Sequence, residues 1–171
     1  MFIHRALNSI PSKPVLFLSP LLIILVLGTY YWNVKSDCQA QAELRDKFVF
    51  SVTEAGETGQ PLRLDELNSA DWEFAKTFQN FQPKHRKPSC PFGWDWSDKI
   101  RQDLIDSGML SVIIFFNEGV ISHILEFNNN RISVEEIDGR VSRDMADFNV
   151  EKTIVGQQTH YHLSTVSNQN Q

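Results

Sequence analysis

Two cysteines, a few histidines, a run of carboxylates and one aromatic loop are the residues here whose types and spacing could do chemistry. Cys38 and Cys90 make an even pair, which beyond a membrane is the pattern of a disulfide in an oxidising compartment. Closing that loop stabilises by about 4 kcal/mol in the chain-entropy account. Two unrelated buried thiols are the alternative. His160 and His162 flank Tyr161 at strand spacing and point to one side, as two metal ligands would. Two ligands are too few and no third is identifiable, so a solvent-facing edge strand is expected there. His123 shares a strand face with Ile121, Leu125 and Phe127 and is expected as a hydrogen-bonded core histidine. Glu135, Glu136 and Asp138 have the composition of acid-base carboxylates, but they follow a strand into a turn and read as a solvated edge.

The candidate binding surface is the loop holding Phe92, Trp94 and Trp96, behind a basic rim that includes Arg86 and Lys87. Aromatics and arginine dominate binding hot spots, which is why this combination stands out. The competing reading has Trp94 and Trp96 covering the end of the core beside the disulfide. A nucleophile elbow, a His-Glu-x-x-His helix, a phosphate loop, a dinucleotide glycine motif and a Cys-x-x-Cys pair are all absent from the sequence. No catalytic residue, metal ligand or cofactor is therefore assigned, and the expectation is a protein that is not an enzyme. A hydrolase with an unfamiliar site would need a deep pocket lined by converging polar groups.

The elements that must position these residues begin with an apolar stretch. Residues 15–32 read VLFLSPLLIILVLGTYYW, without a charge. As a helix this run is about 27 Å long, close to the hydrocarbon thickness of a bilayer. Tyr30, Tyr31 and Trp32 form an aromatic cluster of the kind found at the membrane-water boundary. A transmembrane anchor is the favoured reading, and a signal peptide cleaved after Gly28 is the alternative. Basic residues on the two sides of the run do not decide orientation, but the cysteine pair favours a short cytoplasmic segment at 1–14 and a main domain outside. Beyond residue 32 the chain has 14 basic and 21 acidic residues. That balance is too acidic for a general binder of nucleic acid, whose affinity comes from cations on phosphates.

Residues 33–61 read as a juxtamembrane helix and linker, with a helix over 39–47, a first strand over 48–53 and a loop over 54–61. A compact domain is expected over 62–166, before a disordered tail at 167–171. The segment carrying Trp72, Phe74, Phe78 and Phe81 supplies large apolar surfaces without declaring helix or strand. The clearest helix starts at the N-cap Ser97, carries Ile100, Leu104 and Ile105, and stops at Gly108. Residues 109–116 are almost continuously apolar, as in a strand covered on both faces. Asn117-Glu118-Gly119 is a hairpin signal, with a returning strand over 120–127 and a third over 131–137. Two more are expected at 148–155, with Phe148, Val150 and Ile154 inward, and at 160–166 as an edge. The fold class is α+β: an N-terminal membrane anchor, then one principal helix packed on an antiparallel sheet of four or five strands.

Leu62, Leu64, Leu67 and Asp71-Trp72, then a short helix, the strand Val112 to Phe116 with Val120 across the turn, and Ala146-x-Phe148-x-Val150 together make a pattern. It resembles a loosely defined group of small exported bacterial envelope proteins of unknown function, many of them lipoproteins. It covers about half the chain, mostly at core positions, and departs from the group by carrying an anchor in place of a lipid attachment signal and by its Cys90 loop. The resemblance implies helix and antiparallel sheet in the bacterial envelope, and carries over no catalytic residue. The expected function is binding, as an accessory or regulatory subunit of another envelope or membrane protein at the inner membrane, with residues 15–32 in the lipid bilayer. A periplasmic immunity or inhibitor protein is the alternative.

Overall fold

The computed structural model describes residues 13–67, 71–84, 90–135 and 139–166, with residues 13–19 and 91 as backbone only. The chain forms two compact units, Met1–Ser36 and Asp37–Gln171, and a 46-residue helix, α1 (Lys13–Thr58), contributes to both. In the first unit every aliphatic side chain from Leu21 to Leu27 is exposed, and so are Tyr30, Tyr31 and Trp32. Among the described residues no helix is long and apolar enough to cross a membrane. The side chains at 15–19, the start of the apolar run, lie outside the described residues.

In the second unit the expected strand over 48–53 is instead helix, and the expected loop over 54–61 is helix as far as Thr58. Local propensity favours a strand for this β-branched and aromatic segment, yet Phe48, Val52 and Ala55 recur at helical spacing and are all buried on one face. Packing of that face outweighs propensities that differ by only tenths of a kcal/mol per residue. Gly59 ends the helix with a left-handed φ of 70°, its amide bonding the Ala55 carbonyl at 2.8 Å.

After α1 come β1 (Leu62–Arg63), the single turn α2 (Leu64–Leu67) and β2 (Phe74–Phe78), which settles the aromatic segment as strand. Helix α3 (Asp98–Asp106) is capped by Ser97, whose hydroxyl accepts from the Ile100 amide, and Gly108 follows it at φ 67°. The remaining strands are β3 (Leu110–Asn117), β4 (Val120–Asn128), β5 (Ile132–Val134), β6 (Val141–Ser142), β7 (Asp147–Val155) and β8 (Gln158–Thr165).

The fold is α+β, but the single sheet expected from sequence is two sheets of four strands, ordered β1-β7-β8-β5 and β4-β3-β2-β6. The largest helix is α1 rather than α3. Three consecutive antiparallel strands were expected after α3, and only β3 and β4 pair in that way. Beyond β4 an Asx turn, with the Asn130 amide on the Asn128 side chain at 2.8 Å, redirects the chain. β5 then joins the other sheet, parallel to β8. Tyr161, Leu163 and Thr165 of β8 are buried in an interior strand, so the edge position expected for it is corrected. Ile154, expected inward, is exposed because β7 and β8 run on as a hairpin past the ends of β1 and β5.

One core lies between α1 and the two sheets, and Phe48, Phe115, Phe127, Phe148 and Leu163 fill it. A smaller core lies on the other face of β3, where Leu104 and Ile105 of α3 meet Leu110, Val112 and Ile114. β3 is thus buried on both faces, as its continuous apolar sequence predicts.

Candidate functional site

Residues 37–45 of α1 carry the site, because one side of this helical segment holds the aromatic loop and another faces β4. Cys38 is bonded to Cys90, whose Cα lies 5.8 Å away. Seven positions on, two helical turns along the same face, the Arg45 side chain makes three contacts. It ion-pairs with Asp95 at 2.5 Å, donates from Nε to the main-chain oxygen of Glu126 at 2.8 Å, and lays its guanidinium 3.7 Å over the Trp96 ring. Trp96 packs on the smaller core. The Glu126 side chain, only 5% exposed, is gripped by Arg101 of α3 through two guanidinium nitrogens, at 2.7 Å to Oε1 and 3.0 Å to Oε2. Burying these charges costs several kcal/mol each, which is offset only because each cation meets a carboxylate and hydrogen bonds take the remaining capacity.

The result is a loop fixed at both ends. Pro91–Gly93 forms a 3-10 turn in which Phe92 takes φ 58°, a left-handed conformation unusual for an aromatic residue. Phe92 is 77% exposed, with its ring centroid 5.2 Å from that of Trp94. The loop therefore divides its aromatics: Trp96 is structural, and Phe92 stands out into solvent. Arg86 and Lys87, the basic rim expected beside it, lie outside the described residues.

On the other side of the same helical segment, Asp37, Ala40, Gln41 and Leu44 face residues 121–124 and Glu126 across a groove of about 400 Å³. β4 forms the groove's other wall and is the outer strand of its sheet. The Leu110 and Phe116 carbonyls accept from Phe81 and Glu73 on the β2 side, so alternate residues of β3 face β2. Their partners on β4 include Ile124 opposite Ile114 and Glu126 opposite Val112. Ile124 and Glu126 must then turn their main-chain N–H and C=O away from β3, toward the open edge. Arg45 takes the Glu126 carbonyl.

His123, expected in the core, is exposed on this edge. His123 stays in register opposite Phe115, and the shift between Phe115 and Phe116 falls beyond it, taking Ile121 off the face it was expected to share and leaving His123 at the groove. His162 lies on the solvent side of β8 with Nδ1 2.9 Å from the Ser133 hydroxyl, and His160 is half-buried. Among the described residues no group of three or more His, Cys, Asp or Glu is placed to hold a metal ion. Glu135 accepts a bond from the Thr165 amide at 3.4 Å, and Glu136 and Asp138 lie outside the described residues.

The far end of α1 is held differently. Gly56 lies against Tyr161, where a Cβ would stand 2.6 Å from two ring carbons. Lys152 of β7 bonds Glu57 at 2.6 Å. That hydrogen bond and the cation's field lower the Glu57 carboxyl below its ordinary range, and the same bond raises the Lys152 ammonium above its own.

Sequence reasoning missed Arg45, Asp95, Arg101, Glu126 and the open edge of β4. The one available signal was the spacing of Cys38 and Arg45, which puts a cation on the helix face that carries the disulfide. No family model, curated protein or solved structure matches this chain.

Proposed function

We propose that this protein is a membrane-anchored extracytoplasmic binding protein, an accessory or regulatory subunit that docks on another envelope protein through its disulfide-pinned aromatic loop. The observation that carries this reading is the exposed Phe92 ring on a loop fixed by the Cys38–Cys90 bond, the Arg45–Asp95 pair and the seated Trp96. An aromatic held in place before contact loses little conformational freedom on binding, so more of its burial appears as affinity. A disulfide of this kind suits an oxidising compartment. The resemblance of the core pattern to small exported envelope proteins points the same way.

Residues 15–32 serve as the anchor in this reading. The exposed aliphatic run from Leu21 to Leu27 supports it, since burying each such side chain yields about 1.5–3 kcal/mol and a bilayer buries all of them at once. The acidic balance of the rest of the chain leaves protein surfaces rather than nucleic acid as partners.

Two measurements test the reading. A reporter active only outside the cytosol, fused after Gln171, is expected to be active, and a silent reporter overturns the compartment. A photo-activatable residue at position 92 of the full chain is expected to capture one membrane protein in cells, while the same residue at exposed position 151 captures none. Equal capture from both positions, or none from position 92, overturns docking through the loop.

A further inference from the structure

We infer that the partner contributes an extended, cationic segment that adds to β4 as a new outer strand, seated in the groove beside α1. The inference rests on the docking reading above and specifies a second contact for the same partner.

The edge chemistry comes first. Ile124 presents its main-chain N–H and C=O outward, and an added strand satisfies such groups one by one. Val120, Ile121 and Ile124 are exposed apolar side chains along it, and Val120 is 69% exposed. Natural edges are ordinarily blunted by lysine, proline, covering segments or short length. β4 has nine residues and neither lysine nor proline. Its bulge, at Ser122, and the Arg45 bond to Glu126 flank Ile124 on either side and leave the edge open between them.

Charge selects the occupant. The two cations bonded to β4, Arg45 and Arg101, are engaged by Asp95 and Glu126. Asp37 in the groove and Glu118 in the β3–β4 turn have no ion pair among the described residues. From residue 37 onward the chain has 13 basic and 21 acidic residues, a net charge of -8. Two such units would repel on approach, which disfavours a second copy and favours a basic segment. Alternating side chains give that segment an apolar face for Ala40 and Leu44 and a charged face for the carboxylates.

The test uses the full-length protein in detergent and a short peptide alternating lysine with valine. Saturable binding is expected. Methylation of alternate peptide amides, which removes edge hydrogen bonds, should weaken it by about tenfold or more, and replacing lysine with glutamate should do the same. Ile124→Lys, at a partly exposed position, should abolish binding with the thermal midpoint preserved, and Val120→Lys provides a second variant at a more exposed site. No binding to the unaltered protein, or equal binding of the methylated peptide, overturns strand addition. A dimer that Ile124→Lys converts to monomer overturns the cationic occupant in favour of a second copy. If the peptide fails while position 92 still captures its membrane protein, this inference falls and the docking reading stands. If the peptide binds while position 92 captures nothing, docking through the loop falls and β4 stands as a strand-accepting edge without the second contact at the loop.

Discussion

β4 and β7 are both nine-residue strands with open edges, and they treat those edges in opposite ways. β7 is paired by β1 only at Asp147 and Phe148, and the length beyond carries Glu151 and Lys152, with Lys152 tied to Glu57 on α1. Charges at such positions oppose the docking of another strand. β4 has its charges elsewhere: Glu126 is buried and gripped from both sides, and the exposed residues before it are mostly apolar. The same helix flanks both regions, fastened near β4 by a covalent bond and buried ions and near β7 by an exposed pair and a close glycine contact. Rigid fastening beside an unguarded edge suits recognition, and light fastening beside a guarded one suits mere closure of the core.

That contrast can be broken most severely at Glu126. Glu126→Ala leaves the partly buried Arg101 without its counter-ion, and urea unfolding should show a loss of about 3–5 kcal/mol. Removing the disulfide with paired Cys38→Ser and Cys90→Ser should cost about 2–5 kcal/mol by the same measurement, and limited proteolysis should then cut within residues 90–96 first. At the other end of α1, Gly56→Ala forces a methyl against the Tyr161 ring, for an expected loss of about 1–3 kcal/mol in thermal or urea unfolding.

The smallest effect belongs to Lys152→Met, and it should appear as a change in pH dependence. Glu57 has a lowered folded pKa, so its contribution is present at neutral pH and lost as acid protonates it, below about pH 4. Lys152 has a raised folded pKa, so its contribution is present at neutral pH and lost as the pH climbs above about 10. Thermal midpoints of the two proteins should differ slightly between these limits and converge outside them. A difference that persists in acid would mean that packing, not charge, holds β7 to α1.

What the sequence disclosed follows from how local each signal is. The Ser97 cap and Gly108 stop of α3, the doubly covered β3 and its turn into β4 are written in neighbouring residues, and all of them appear in the structure. The helical identity of 48–53 is not, since Phe-Val-Phe-Ser-Val-Thr has strand propensity and becomes helix because Phe48 and Val52 meet Phe115 and Phe127 in the core. The departure of β5 for the second sheet depends on pairing with β8, nearly thirty residues away. Assuming that β5 continued alongside β4 covered the very edge that lies open, so the groove was hidden by a topological error. The disulfide was legible as a pair; the Arg45, Asp95 and Trp96 assembly was not, because nothing in a list of residues brings position 45 to position 95.

If Phe92 is the docking residue proposed above, its left-handed backbone sets two selective pressures against each other. Glycine would adopt that geometry about 1–2 kcal/mol more readily, and asparagine more readily than an aromatic ring. A library randomised at this codon and enriched for heat resistance alone should therefore drift toward small residues. The same library enriched for performance in cells should retain the ring, and the divergence between the two pools would measure how much durability the molecule gives up for contact.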